Sequence, residues 1–196
     1  LKDLEIEHTI NDPKNKINIS LNAKHSLGKE EYKLNISDLG FITIEASHEP
    51  GLFYGFQSFR QLCDPNLEKG LKPKTSFIPS CEIKDVPAFS YRGMHLDVSR
   101  HFFNVNFIKT DIDMIALHKM NVFHWHLTDD NGWRIEIKKY PLLTEKAAWR
   151  VDRRHEPWKE QSPAKHNEKA TYGGYYTQEE IKEVVEYAEK KNILVI

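Results

Sequence analysis

Only two cysteines, Cys63 and Cys81, occur in 196 residues. That excludes a disulfide scaffold, and their spacing is not that of a metal-binding pair, so both are expected to be buried free thiols. Neither sign of charge is in excess: 28 Lys and Arg against 29 Asp and Glu leave a formal net charge of −1. The chain therefore has no basic field to draw it onto nucleic acid or an anionic membrane. No apolar run approaches the roughly 18 residues of a membrane span, and mean hydropathy is −0.63. Neither G-x-G-x-x-G nor G-x-x-x-x-G-K-[ST] follows any apolar segment, so nucleotide binding has no support. The first residues show no basic region followed by an apolar one. Since the sequence starts at Leu1, this does not bear on export.

What is present is alternation, then helical periodicity, then both in turn. Ile17, Ile19 and Leu21 alternate with polar residues, as in a half-buried strand. Tyr32, Leu34 and Ile36 repeat the pattern, Asp38-Leu39-Gly40 supplies a turn, and residues 41–46 alternate again, which predicts a β-hairpin. From Gly51 to Cys63 the apolar spacing becomes three and four, a helix starting near Pro50. Gly55 inside it costs up to about 1 kcal/mol against Ala unless something approaches the backbone there. Residues 64–79, with Pro65, Pro73 and Pro79, read as a linker or surface loop. The expected organisation is a small α+β domain over residues 1–80 and a second domain over 81–196.

In the second part, CEIKDVPA (81–88) is a short lead-in, and Met94, Leu96 and Val98 mark a buried parallel strand ending near Asp97. A helical stripe runs through Ile108, Ile112, Ile115, Ala116 and Met120 and is ended by Asn121. VFHWHL follows as a second strand, and Asp130-Asn131-Gly132 is a turn in which Asn131 or Gly132 can take positive φ. Trp133, Ile135 and Ile137 make a small β excursion. The polar stretch 138–176 is expected to be functional or disordered. Thr177 and Glu180 form a capping box. Ile181, Val184, Val185 and Ala188 give that helix an apolar face, Lys190 to Asn192 close it, and residues 193–196 begin a third buried strand.

The chemistry gathers after the first two of these strands. Arg92, Asp97, Ser99, Arg100 and His101 surround one, and His124, His126, Asp129 and Asp130 mark the other. Polar clusters at successive strand ends favour a (β/α)8 barrel over a doubly wound sheet. Asp129-Asp130 is the sharpest candidate, because neighbours on a strand point oppositely: one carboxylate faces a pocket while the other anchors a loop. Arg92 can hold ligand hydroxyls through its fork of donors, or pair with Asp97. His124 and His126 share a face, as in an H-x-H metal site. No third ligand is evident, so hydrogen-bonded core histidines are the expectation and no metal is assigned.

The runs RGMHLDVSRHF, KMNVFHWHLTDDNGWRIEIKKYP and YGGYYTQEEIKEVVEYAEKKNILVI resemble the first barrel segments of glycoside hydrolase family 20. These are the β-N-acetylhexosaminidases. ITIEASHEPGLFYGFQSFRQL resembles the end of the small α+β domain that precedes their barrel, and together the likeness covers roughly residues 30–196. It implies an α/β architecture, with about three of eight strands of a TIM barrel here. It also implies exo-hydrolysis of terminal N-acetylhexosamine (GlcNAc or GalNAc) from glycans, without metal or organic cofactor.

Carried over by residue, Arg92 matches the arginine that binds hydroxyls of the terminal sugar. Asp129, with Asp130 as the alternate, matches the carboxylate that supports the catalytic acid through a histidine. Asp97, Ser99, Arg100 and His101 match a structural network, and Asn131 stands where the family usually has Gln. The mechanism implied is substrate-assisted retention, in which the sugar's own 2-acetamido oxygen attacks the anomeric carbon. The Asp-Glu pair that completes it lies after the fourth strand and is not in this chain, which is therefore expected to be a fragment, inactive and poorly folded by itself. Extracellular, periplasmic or lysosomal placement is the family's expectation. A non-catalytic carbohydrate-binding remnant on the same scaffold, and a metal-dependent barrel hydrolase using His124 and His126, are the other readings.

Overall fold

The computed structural model describes residues 17–74 and 77–196. The first sixteen residues, and Thr75 and Ser76 of the loop expected over 64–79, lie outside the described residues. The chain divides into two compact units, residues 1–90 with 117–119, and residues 91–116 with 120–196. None of its described helices is long and apolar enough to cross a membrane.

In the first unit, strands β1 (Ile17–Leu21), β2 (Tyr32–Ile36), β3 (Ile42–Ala46) and β4 (Cys81–Asp85) form one sheet in the order β1-β3-β2-β4. The predicted hairpin is β2–β3, antiparallel with Ile36 opposite Ile42, and Gly40 takes φ 78° at its turn. Residues 81–85, which the sequence pattern groups with the second domain, instead pair antiparallel with β2 and complete this sheet. Helix α1 (Glu49–Leu62) covers it.

Tyr32, Leu34, Ile36, Ile44, Ala46 and Tyr54 are the buried core. Gly55 is where helix and sheet come closest: a Cβ there would sit 2.6 Å from Ile44 Cγ2 and 3.2 Å from the Tyr32 ring. That close approach is the reason for a glycine mid-helix. Inside this core the Tyr32 hydroxyl meets Ser58 Oγ at 2.6 Å and donates to Asp85 Oδ2 at 2.8 Å, so its polar end is satisfied. Cys63 and Cys81 are free thiols, half-buried where full burial was expected. Burial pushes the Cys63 thiol up.

The second unit is built on parallel strands joined by helices. Strand β5 (Gly93–Asp97) leads to helix α2 (Val105–Leu117) and strand β6 (Val122–His126), which runs parallel to β5. Helix α2 ends at Leu117 rather than at Asn121, because Lys119 takes the left-handed conformation (φ 56°) and reverses the chain. A hairpin follows, β7 (Thr128–Asp129) with β8 (Gly132–Trp133).

Next come the short helix α3 (Leu142–Glu145), strand β9 (Trp149–Arg150), its antiparallel partner β10 (Tyr172–Gly173), helix α4 (Gln178–Glu189) and strand β11 (Leu194–Val195). Strand β11 adds to β6 in parallel, giving the order β11-β6-β5. The capping box forms as expected, with both Thr177 and Glu180 bonds made. Two burial expectations fail here: Val185 faces solvent, and Leu194 and Ile196 of the third strand are exposed.

One face of this sheet carries Phe123 and Trp125 and is buried, with the Trp125 and Tyr176 rings 4.6 Å apart. The buried faces of α2 (Ile108, Ile112, Ile115, Ala116) and α4 (Val184, Ala188) account for most of the remaining apolar burial. Because side chains alternate, the opposite face presents His95 and Asp97 from β5 and His124 and His126 from β6. His95 and His124 are exposed and His126 is half-buried.

Candidate active site at the ends of two parallel strands

Asp97 is the last residue of β5, and its carboxylate organises the turn that follows. Its Oδ1 accepts from the amides of Ser99 (2.9 Å) and Arg100 (3.1 Å), and its Oδ2 accepts from Arg100 Nη1 at 3.1 Å. The partner of Asp97 is thus Arg100, not Arg92. Arg100 then reaches across to the end of β6. Its Nη1 donates to Asp129 Oδ2 at 2.5 Å, and its Nε donates to Asn131 Oδ1 at 3.0 Å. Asp129 Oδ2 also lies 3.1 Å from His126 Nε2, while its Oδ1 accepts the Asp130 amide at 2.8 Å. Ser99 Oγ donates to the Gly132 carbonyl at 2.8 Å, binding the two strand ends together.

Electrostatics follow from these contacts. The Asp130 amide, with Arg100 and His126 beside it, holds the Asp129 carboxyl down to about 2. Burial works against the Asp97 charge, yet the Arg100 amide and guanidinium and His126 outweigh it and lower its pKa. Burial also disfavours the Arg100 charge, but the two carboxylates outweigh that and raise its pKa. Asp97 and Asp129 are therefore ionised at neutral pH. Such carboxylates can orient a histidine or hold a cation, but they cannot donate a proton as a general acid.

Asp130, in the turn after β7, points away from the Asp129 network. Its side chain is 81% exposed and comes only within 3.9 Å of Arg100. The turn between β7 and β8 is made without positive φ at Asn131 or Gly132, contrary to expectation. Gly132 is required for another reason: a Cβ there would lie 2.4 Å from the Arg134 guanidinium. His101 sits outside the network, its Nδ1 3.2 Å from the Tyr172 hydroxyl.

Arg92 stands apart from the rest. It precedes β5, where its amide donates to Asn121 Oδ1 at 2.9 Å and its carbonyl accepts from the Asn121 amide at 3.0 Å. At about 3.3 Å per residue, the length of β5 separates its backbone from Asp97 by roughly 16 Å. The structure thus joins Asp97, Ser99, Arg100, His126, Asp129 and Asn131, and leaves the Arg92 backbone at the opposite strand end.

Sequence reading missed two residues. Arg134 is fully buried, with Nε donating to Val98 O (3.0 Å), Nη2 to Ser99 O (2.8 Å) and Nη1 to Ala148 O (2.5 Å) and Gly174 O (3.0 Å). It fastens the residues after β5 to Ala148 and Gly174, two points of the 138–176 stretch. A charged residue within a Trp-Arg-Ile-Glu-Ile alternation gives no sign of such burial. The second is His95, which the parallel register sets directly opposite His124. Only knowledge of that register reveals it.

A shallow depression of about 310 Å³ lies on the first sheet, lined by residues including Lys33, Asn35, Glu45 and Glu82. It holds none of these strand-end groups, and the chemistry is placed at the strand ends.

Parallel strands joined by a helix, with ionised side chains collected where the strands end, have the arrangement found at the start of a (β/α)8 barrel. The profile of glycosyl hydrolase family 20, catalytic domain, matches residues 89–196, and that of glycosyl hydrolase family 20, domain 2, matches residues 1–86. The chain belongs to glycosyl hydrolase family 20.

Among its relatives, a beta-hexosaminidase of Porphyromonas gingivalis is 41% identical over 98% of this chain and 23% of its own length. One from Vibrio furnissii is 43% identical over 91% of this chain and 27% of its own. The chain thus spans about a quarter of the length of these curated relatives. Among solved structures, Streptomyces plicatus N-acetyl-beta-hexosaminidase in complex with Thio-NAglucal superposes with a TM-score of 0.77 at 36% identity, covering 92% of this chain and 33% of that one. The exo beta-N-acetylglucosaminidase of Vibrio harveyi in complex with N-acetylglucosamine gives 0.73 at 38%, covering 91% and 26%.

Proposed function

We propose that the whole protein is an exo-acting β-N-acetylhexosaminidase that removes terminal N-acetylhexosamine from glycans by substrate-assisted, retaining hydrolysis. The observation that carries this reading is the ionised Asp129 at the end of β6, tied to Arg100 and His126, within a stretch matching the family's catalytic domain. A carboxylate with its pKa near 2 stays charged across the working range. It suits the role of orienting a histidine behind the acid that protonates the leaving oxygen. Asp130, nearly free in solvent, is less suited.

In this reading the 2-acetamido oxygen of the substrate supplies the nucleophile, so one protein carboxylate of the usual pair is not needed as a nucleophile. Arg92 is assigned to the sugar hydroxyls; its place at the other strand end means its side chain has to extend along the strands to do so. No metal or organic cofactor takes part in bond cleavage. Action outside the cytoplasm fits the substrate class and belongs to the same proposal.

The test compares two aryl β-glycosides differing only at C2. The whole protein should release the aryl group from the 2-acetamido sugar and at least about 100-fold more slowly from the 2-hydroxy sugar, the loss expected when an internal nucleophile is removed. Equal rates on both sugars, or a folded protein that turns over neither, would sink the proposal.

A further inference from the structure

We propose that His95, His124 and His126 form a binding site for one divalent transition-metal ion of the zinc and copper class. The three rings come from two adjacent strands in fixed register. His95 and His124 are paired across β5 and β6, and His126 lies two residues further along the same face. One ring nitrogen of each lies within 4.8 Å of the others. A tetrahedral ion with bonds of about 2.05 Å holds its donors about 3.3 Å apart, so the ring nitrogens need to converge by at most about 1.5 Å.

The alternative is a set of hydrogen-bonded core histidines, and the hydrogen bonding of the rings bears on it. No hydrogen bond to the His95 or His124 ring is found among the described residues, where hydrogen-bonded core histidines would have partners. The closest partners of these two rings are each other, edge to face at 4.7 Å, and the His126 ring, 5.5 Å from that of His95. Three imidazole donors with no carboxylate among them favour zinc, copper, nickel or cobalt over calcium and magnesium. An open fourth position is left for water.

His126 already has what a metal-bound histidine usually has. The Asp129 carboxylate lies 3.1 Å from its Nε2, so binding through Nδ1 keeps a carboxylate behind the ring to orient it. The Arg100 guanidinium is 3.4 Å from the same Nε2 and opposes a nearby cation, but it is paired with both Asp97 and Asp129. The local charge without the ion is therefore slightly negative.

This inference does not depend on the hydrolase reading, because its test needs no turnover. The full-length protein, prepared without a polyhistidine tag and stripped by chelator, is titrated with cobalt(II) while its visible absorption is followed, and zinc is then used to displace the cobalt. One equivalent should bind, with the spectrum of a nitrogen-ligated ion, and stoichiometric binding should be lost in His95→Ala and His124→Ala. Asp129→Asn should bind about 10-fold more weakly, as for loss of an outer-shell partner, and His48→Ala should bind as the parent does. Circular dichroism checks each variant for folding, and His95→Gln replaces any alanine variant that fails. Absence of stoichiometric binding, or binding that survives loss of His95 and His124, overturns the proposal.

Discussion

Asp129 shows how much one side chain's surroundings decide. Its carboxyl is favoured as the anion by the Asp130 amide first and by Arg100 next, which takes it from an ordinary 3.8 to about 2. A depressed carboxyl contributes stability that is fully present above its unfolded value and is lost as pH falls through the folded one. The gap in urea midpoint between the parent and Asp129→Asn should therefore be constant above about pH 4 and shrink steadily toward pH 2. A gap that does not narrow on acidification would contradict this. Arg134 makes the complementary case, a buried cation held by four carbonyls from three chain segments. Arg134→Met takes this donor from the Val98, Ser99 and Gly174 carbonyls, while Ala148 O keeps the Gly174 amide, and should cost about 3 kcal/mol or more of unfolding free energy. Arg134→Lys should recover less than half, since an ammonium cannot address the same fan of acceptors. Near-full recovery by lysine would show that charge rather than geometry matters there.

At the scale of elements, regular periodicity was legible and close approach was not. The β2–β3 hairpin, α1, α2, β6 and the Thr177 capping box all follow from apolar spacing and cap residues visible in the chain. The pairing of Cys81–Asp85 with β2 was hidden, because a short strand carries no mark of which sheet it joins. The end of α2 was misplaced for a similar reason: Lys119 in the left-handed region is a conformation that lysine does not advertise. In the candidate site, the Asp129-Asp130 pair stands out in the sequence, and only the family resemblance favours Asp129 over Asp130. His95 does not stand out, since its significance rests on strand register. Gly55 tests the packing argument directly. Propensity alone says that Gly55→Ala gains about 1 kcal/mol. The new Cβ, 2.6 Å from Ile44 Cγ2, should reverse that sign and leave a net loss of about 1–2 kcal/mol. Thermal unfolding reads the difference, and a rise in melting temperature would refute the close contact.

At the scale of the whole molecule, the described strand-end network offers Asp97 and Asp129, both held ionised and so unsuited to act as the acid. Expressed alone, they should show no turnover of aryl N-acetyl-β-glucosaminides. The open edges of the β11-β6-β5 sheet should promote association, measurable by light scattering. The central claim concerns the whole protein and is tested most directly by following its hydrolysis of an aryl N-acetyl-β-glucosaminide by proton NMR. Substrate-assisted retention predicts that the β anomer of N-acetylglucosamine appears first and mutarotates only later to the α anomer. First appearance of the α anomer, or no hydrolysis by the folded whole protein, would contradict the account.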